Sequence, residues 1–181
     1  MLQWSTVRTF TDANGRILTY SYTNRNALYQ VSETVGTATY AYDAGGNQTG
    51  LTNPNGTTVT NVYDAANRLT SITNKNSSAA VLSSFGYGYN SDNKRTSATE
   101  ANGDVVSYGY DALLHLSSES RTGASGYTAV YVVDGMSNRT RLTVGGVTTT
   151  YAYDADDELT GTSGGFVNTY GYNANGDQTT S

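Results

Sequence analysis

A Tyr-x-Tyr-Asp pattern returns along this chain about every twenty residues, so one short structural unit is written some eight times and the fold must be one that stacks it. The second tyrosine of each copy is Tyr22, Tyr42, Tyr63, Tyr89, Tyr110, Tyr153 or Tyr172, with Val133 in its place once. Successive copies lie 20, 21, 26, 21, 23, 20 and 19 residues apart.

Leu, Ile, Val and Phe make up only 30 of 181 residues, a level associated with disorder. Disorder conflicts, however, with 16 Tyr, 14% charged residues and a net charge of −5, because disordered chains carry few aromatics and a large net charge. The tyrosines must therefore supply the buried surface. Each ring offers a large apolar area while its hydroxyl stays hydrogen-bonded at the edge of a packed layer. Thr, Tyr and Val favour strands, and Gly, Asn and Asp supply turn chemistry at regular intervals. No long segment carries a helical apolar period. The expected fold is all-β, a repetitive antiparallel β-hairpin strip of about eight repeats.

Aligned on the second tyrosine, each copy carries two turn signals. Four residues after it stand Asn26, Gly46, Asn67, Asn93, Asp157 and Gly176, types that tolerate positive φ, with Leu114 and Ser137 as exceptions. Immediately after the tyrosine come Asp43, Asp64, Asn90, Asp111, Asp134, Asp154 and Asn173, whose side chains can hydrogen-bond turn backbone. About seven residues before it lie Gly15, Gly36, Gly56, Gly103, Gly126, Gly146 and Gly165. Three of these follow an asparagine, as Asn14-Gly15, Asn55-Gly56 and Asn102-Gly103, which predicts two-residue type I′ hairpins. Each repeat thus reads strand, turn, strand, turn.

In DVVSYGYD, Val106, Tyr108 and Tyr110 share one face of the strand. Tyr20 with Tyr22, Tyr40 with Tyr42, Tyr87 with Tyr89, Tyr151 with Tyr153 and Tyr170 with Tyr172 repeat that spacing and predict a cross-strand tyrosine ladder. Six residues after the tyrosine, Leu28, Leu69, Leu116 and Leu159 alternate with Gln48, Arg95, Arg139 and Gln178, so a pair of repeats is a candidate for the true unit. A Thr or Ser follows in nearly every copy: Thr49, Thr70, Thr96, Ser117, Thr140, Thr160 and Thr179. The irregular stretch from Asn74 to Ser84, where Leu82 replaces the expected glycine, reads as an insertion in a surface loop of a single strip spanning 1–181.

Several chemistries find little support. The chain has no cysteine and a single histidine, and ten scattered Lys and Arg make no basic stripe, so neither a cofactor nor a metal nor nucleic acid is expected. No stretch approaches the apolar length of a membrane-spanning helix, and the N-terminus lacks the form of a secretory signal. Asp154, Asp156, Asp157 and Glu158 lack the spacing of a calcium loop and read as solvated turn residues. Asp111, His115 and a serine such as Ser117 can be drawn as a hydrolase triad, but closeness in sequence is not triad geometry. Gly145-Gly146 and Gly164-Gly165 mark hairpin turns rather than phosphate loops, because no helix follows them. Exposed tyrosines beside amides can stack on sugars, which makes glycan or protein binding the main competitor to a structural role.

The stretches YAYDAGGNQTG, NVYDAANRLTSITN and YGYNANGDQT closely resemble the YD repeats, also called RHS repeats. Such repeats occur in bacterial Rhs proteins, the TcC component of insecticidal ABC toxins, wall-associated proteins and teneurin receptors. The resemblance runs from about Phe10 to the end of the chain. It implies a hairpin strip that spirals into a shell and encloses cargo or mediates surface interaction, acting as a container rather than a catalyst. It further implies an extracellular or cell-surface location. The family's terminal aspartyl autoprotease has no counterpart, since the one proline, Pro54, follows Asn53. Some eight repeats are few for a complete shell, so the chain reads as a fragment or small member whose strand edges stay open to further repeats or to copies of itself.

Overall fold

The computed structural model describes residues 6–180, and every regular element among them is a β-strand. The chain divides into two compact units, Met1–Tyr87 and Gly88–Ser181. The first holds β1 (Thr6–Thr11), β2 (Ile17–Tyr22), β3 (Leu28–Glu33), β4 (Gly36–Tyr42), β5 (Gln48–Thr52), β6 (Thr58–Tyr63), β7 (Leu69–Lys75) and most of β8 (Val81–Tyr89). The second holds β9 (Arg95–Glu100), β10 (Val105–Tyr110), β11 (Leu116–Arg121), β12 (Tyr127–Val133), β13 (Arg139–Val144), β14 (Val147–Tyr153), β15 (Leu159–Gly164) and β16 (Asn168–Thr169). It ends in the short ribbon of β17 (Gly171–Tyr172) and β18 (Gln178–Thr180). Within each unit the strands follow chain order and pair antiparallel with their neighbours.

The tyrosine turn has one geometry throughout. In the third copy the Asn67 N–H donates to the Asp64 carbonyl at 3.0 Å and the Asp64 N–H donates to the Arg68 carbonyl at 2.9 Å. The Asp64 carboxylate accepts from the N–H groups of Ala66 and Arg68, both at 2.9 Å. This is a type I turn closed by a left-handed bulge residue. All eight copies take positive φ at that residue, including Leu114 at 65° and Ser137 at 73°, which composition alone marks as exceptions. The register then shifts. Ala41 pairs with Gly50 but Tyr42 with Gln48, and the same slip precedes Tyr22, Tyr63, Tyr110, Val133, Tyr153 and Tyr172. The skipped residue is the recurrent Thr or Ser, except before Tyr22, where it is Tyr29.

The asparagine–glycine pairs correct the sequence expectation. They do not form two-residue type I′ hairpins: Gly15, Gly56 and Gly103 hold positive φ, while their asparagines do not. Asn53 and Thr57 close a five-residue turn of the tyrosine-turn type, with the Gly56 N–H donating to the Asn53 carbonyl at 2.9 Å. The Asn53 amide donates to Thr57 Oγ1 at 3.0 Å and the Thr57 N–H donates to Asn55 Oδ1 at 3.1 Å, so side chains within the turn support the longer loop, whose type I twist places only Gly56 in the left-handed region. The one glycine pair with both φ values positive is Gly145-Gly146, between Val144 and Val147. In two further copies the left-handed residue is Gly123 or Gly164 rather than Gly126 or Gly165.

The irregular stretch from Asn74 to Ser84 forms no separate loop. β7 and β8 run into it from both sides, Lys75 pairs with Val81, and the same five-residue turn closes over 76–80 with Ala79 at φ 64°. Gly56 packs under it, because a Cβ there would lie 2.9 Å from the Ser77 Cβ. Gly56→Val is therefore expected to cost about 2 kcal/mol through left-handed strain and that collision, read as a lowered melting temperature.

Each sheet is one layer thick, so burial is sparse. Among the described residues only Ala98, Val106, Ala129 and Thr149 are buried, Ala129 and Thr149 at 3% exposure. Val106, Ala129 and Thr149 stand four residues before the tyrosine position, and Ala98 pairs with Val106, so all four lie on the tyrosine face of the second unit. An ion cluster locks β9, β10 and β11 together: the Arg121 guanidinium meets Glu100 in a bidentate pair at 2.6 and 2.7 Å and Asp104 at 3.1 Å.

Candidate functional site

The residues that recur in every copy converge on the tyrosine-turn edge, where four kinds of side-chain bond join backbone to backbone. The first is made by the second tyrosine. Its hydroxyl donates to the carbonyl six residues past the tyrosine of the preceding copy: Tyr42 to Leu28 at 2.8 Å, Tyr63 to Gln48 at 3.1 Å, Tyr110 to Arg95 at 2.8 Å, Tyr153 to Arg139 at 3.1 Å and Tyr172 to Leu159 at 3.0 Å. The ring rivets one hairpin onto the next. Burial pushes the phenols of Tyr42 and Tyr153 above the usual tyrosine range, and that of Tyr131 beside them in the pattern.

The second bond explains the recurrent threonine. Thr70, Thr140 and Thr160 donate their hydroxyls to the carbonyls of Val62, Val132 and Ala152 at 3.2, 3.3 and 3.0 Å. Those carbonyls belong to the residue before the tyrosine, where the bulge interrupts the ladder, so the hydroxyl supplies the donor that the extra residue displaces.

The third is the aspartate within each turn. Hydrogen bonds from Asn47, from the Arg68 backbone and side chain, and from the His115 backbone hold the carboxyls of Asp43, Asp64 and Asp111 below the usual carboxylate range. A depressed folded-state pKa adds stability that is complete above the unfolded value near 4 and is lost as pH falls through the folded value. Combined replacement of Asp43, Asp64 and Asp111 by Asn, which already serves as Asn90 and Asn173, is expected to move the acid-unfolding midpoint to lower pH. A pH titration followed by circular dichroism measures it.

The fourth runs laterally between turns. The Asn47 amide donates to Asn67 Oδ1 at 2.9 Å, the Asn138 amide donates to Asp157 Oδ1 at 2.8 Å, and His115 Nε2 lies 2.9 Å from Ser137 Oγ. Arg25 reaches the Ala44 carbonyl at 2.5 Å across a groove of about 630 Å³ lined by Thr23, Ala27, Tyr42, Asp43 and Gly46. His115 Nδ1 also lies 3.0 Å from Asp111 Oδ2. The structure thus joins Asp111 and His115 to Ser137, not to Ser117. Asn47–Asn67 and Asn138–Asp157 make the same link with amides, and the Ser137 N–H is committed to the Asp134 carbonyl at 3.1 Å, so this line is a rung of the turn ladder. Sequence inspection cannot find these links, because their partners lie 19 to 22 residues apart.

The first tyrosines, Tyr20, Tyr40, Tyr87, Tyr108, Tyr151 and Tyr170, are half-buried on the same face. Arg139 lies 4.4 Å over the Tyr151 ring, a cation–π contact. Leu28, Leu69, Leu116 and Leu159 are half-buried, whereas Arg95, Arg139 and Gln178 are exposed. The carbonyls of Leu28 and Leu159 and those of Gln48, Arg95 and Arg139 all accept from a tyrosine hydroxyl, so the backbone unit is a single copy and only the side chains alternate. Val133 interrupts the rivets. Val133→Tyr would place a hydroxyl toward the Leu116 carbonyl, and is expected to add about 1 kcal/mol and raise Tm by about 2–4 °C.

Among the described residues no cluster of His, Asp and Glu suits a metal ion, and no helix is long and apolar enough to cross a membrane. Residues 42–79 match the family model of the RHS repeat. No curated protein sequence matches the chain. Among solved structures, the crystal structure of TcdB2-TccC3-Cdc42 aligns over 94% of this chain with a TM-score of 0.70 at 17% identity. That of TcdB2-TccC3 aligns over 94% with a TM-score of 0.69 at 17% identity. The chain spans only 11% and 12% of their lengths, and at this identity the likeness concerns the fold. Residues 42–79 thus carry a match to the RHS, or YD, repeat, and the same turn, bulge and tyrosine bond recur on either side of them.

Proposed function

We propose that the chain is a non-catalytic wall segment of an extracellular shell or scaffold of the Rhs and Tc toxin type, which encloses cargo or presents a surface. The observation that carries this reading is where the polar groups go. The tyrosine hydroxyl of one copy bonds the backbone of the copy before it, and the turn side chains bond their own and the next turn. Such a strip gains stability from each neighbour it adds, as repeat architectures do, which suits a wall extended copy by copy. The partners that follow are further YD repeats or copies of the chain, paired through strand edges. Light scattering is expected to show association that grows with concentration, and a strict monomer at high concentration counts against self-assembly. For enclosure, a longer polypeptide containing this chain is expected to shield an attached cargo from protease. Equal digestion with and without the repeats would reject it.

A further inference from the structure

The eight copies provide an internal alignment of one turn. At its three tip positions, the second to fourth after the tyrosine, six copies carry only Asn, Asp, Ser, Arg, Gly or Ala. The fifth and sixth differ, with Ala112-Leu113-Leu114 and Gly135-Met136-Ser137. Leu113 and Met136 are each 72% exposed and Leu114 is 37% exposed. Leu114 also holds φ at 65°, where copies one, three and four place Asn26, Asn67 and Asn93. A left-handed leucine costs roughly 1–2 kcal/mol, and asparagine tolerates that conformation far better. A strained, water-exposed leucine beside two further apolar tips works against the fold, and such conflicts concentrate at functional sites.

The two tips are held together. His115 bonds Asp111 within its own turn and Ser137 in the next, so the imidazole is a strut that keeps Leu113 and Leu114 on the rung beside Met136. The surrounding edge is acidic. The turns at 90–94, 111–115, 134–138 and 154–158 contain seven carboxylates and one lysine. We propose that Leu113, Leu114 and Met136 form a preorganised knob that docks into a protein partner presenting an apolar groove bordered by Lys or Arg. The acidic surround selects that occupant by charge complementarity, and it repels both an anionic lipid surface and the same edge of a second copy. Prior fixing of the two turns limits the ordering cost of docking. The inference does not rest on the wall reading, because it concerns the chain alone.

The test uses the triple variant Leu113→Asn, Leu114→Asn and Met136→Asn, which restores side chains that other copies carry at their tips. Its melting temperature is expected to equal or exceed that of the parent, because strain at residue 114 is released. A fluorescein-labelled amphipathic peptide of Leu and Lys is the probe, with oligolysine of equal charge as the comparison. The parent is expected to bind the Leu–Lys peptide at least tenfold more tightly than the variant does, while oligolysine binds both alike. No binding of the Leu–Lys peptide to the parent, or equal binding to both, overturns the proposal. So does loss in the variant of binding to phosphatidylcholine vesicles with or without phosphatidylserine, if peptide affinity is unchanged, since the knob would then be a lipid contact.

Discussion

Gly164→Ala is expected to destabilise the hairpin of β14 and β15 by about 3 kcal/mol or more, a large effect for a single added methyl group. Two causes add. Gly164 holds φ at 94°, where an L side chain is strained. A Cβ built there lies 2.2 Å from the Thr148 carbonyl oxygen, which is backbone and cannot rotate away. Relief requires moving β14 at the point where the Gly165 N–H donates to that carbonyl at 3.0 Å. Because a repeat strip is held by nearest neighbours, the damage is expected to be local at first. Amide exchange should quicken in 147–169 before it quickens in β9 and β10. An unchanged melt with unchanged exchange would mean that the strands do not cross so closely there.

Tyr42→Ala is expected to cost about 3 kcal/mol and Tyr42→Phe about 1 kcal/mol. The alanine loses the half-buried ring and the hydroxyl bond, whereas phenylalanine loses only the bond to the Leu28 carbonyl. Tyr63 provides an internal comparison. The Gln48 carbonyl accepts from Tyr63 at 3.1 Å and also from the Asn61 amide at 2.9 Å, so Tyr63→Phe leaves that acceptor partnered and is expected to cost less than Tyr42→Phe. Chemical denaturation of the three variants decides the matter, and equal losses for the two phenylalanine variants would sink the rivet account. Alkali reports on the same groups. The raised phenols of Tyr42, Tyr131 and Tyr153 contribute stability that is complete below the unfolded tyrosine value near 10 and disappears as pH climbs through the folded values.

What was legible in the residues was whatever a few neighbouring positions decide. Asp64 with Asn67, or Asp43 with Gly46, announces a turn because a carboxylate that accepts two nearby N–H groups and a residue that tolerates positive φ act within five positions. The tyrosine spacing announced strands and a shared face for the same local reason, the period of two along a strand. Misreadings arose where local chemistry permits two answers. Asn55-Gly56 suits a two-residue hairpin or the end of a five-residue one, and pairing on both sides, with Asn53 as acceptor, selects the second. Leu114 and Ser137 looked like failures of the turn, yet six conforming copies and the bulge register impose the left-handed backbone on them.

The sequence by itself determined an all-β repeat, its period, and the aspartate and left-handed residue of the tyrosine turn, because each depends on interactions within a handful of positions. The destination of the tyrosine hydroxyl, the role of the bulge threonine and the pairing of His115 with Ser137 were decided only by tertiary structure. Those bonds span up to 22 residues, and their partners are fixed by how one hairpin registers against the next, which carries no mark in either segment read alone.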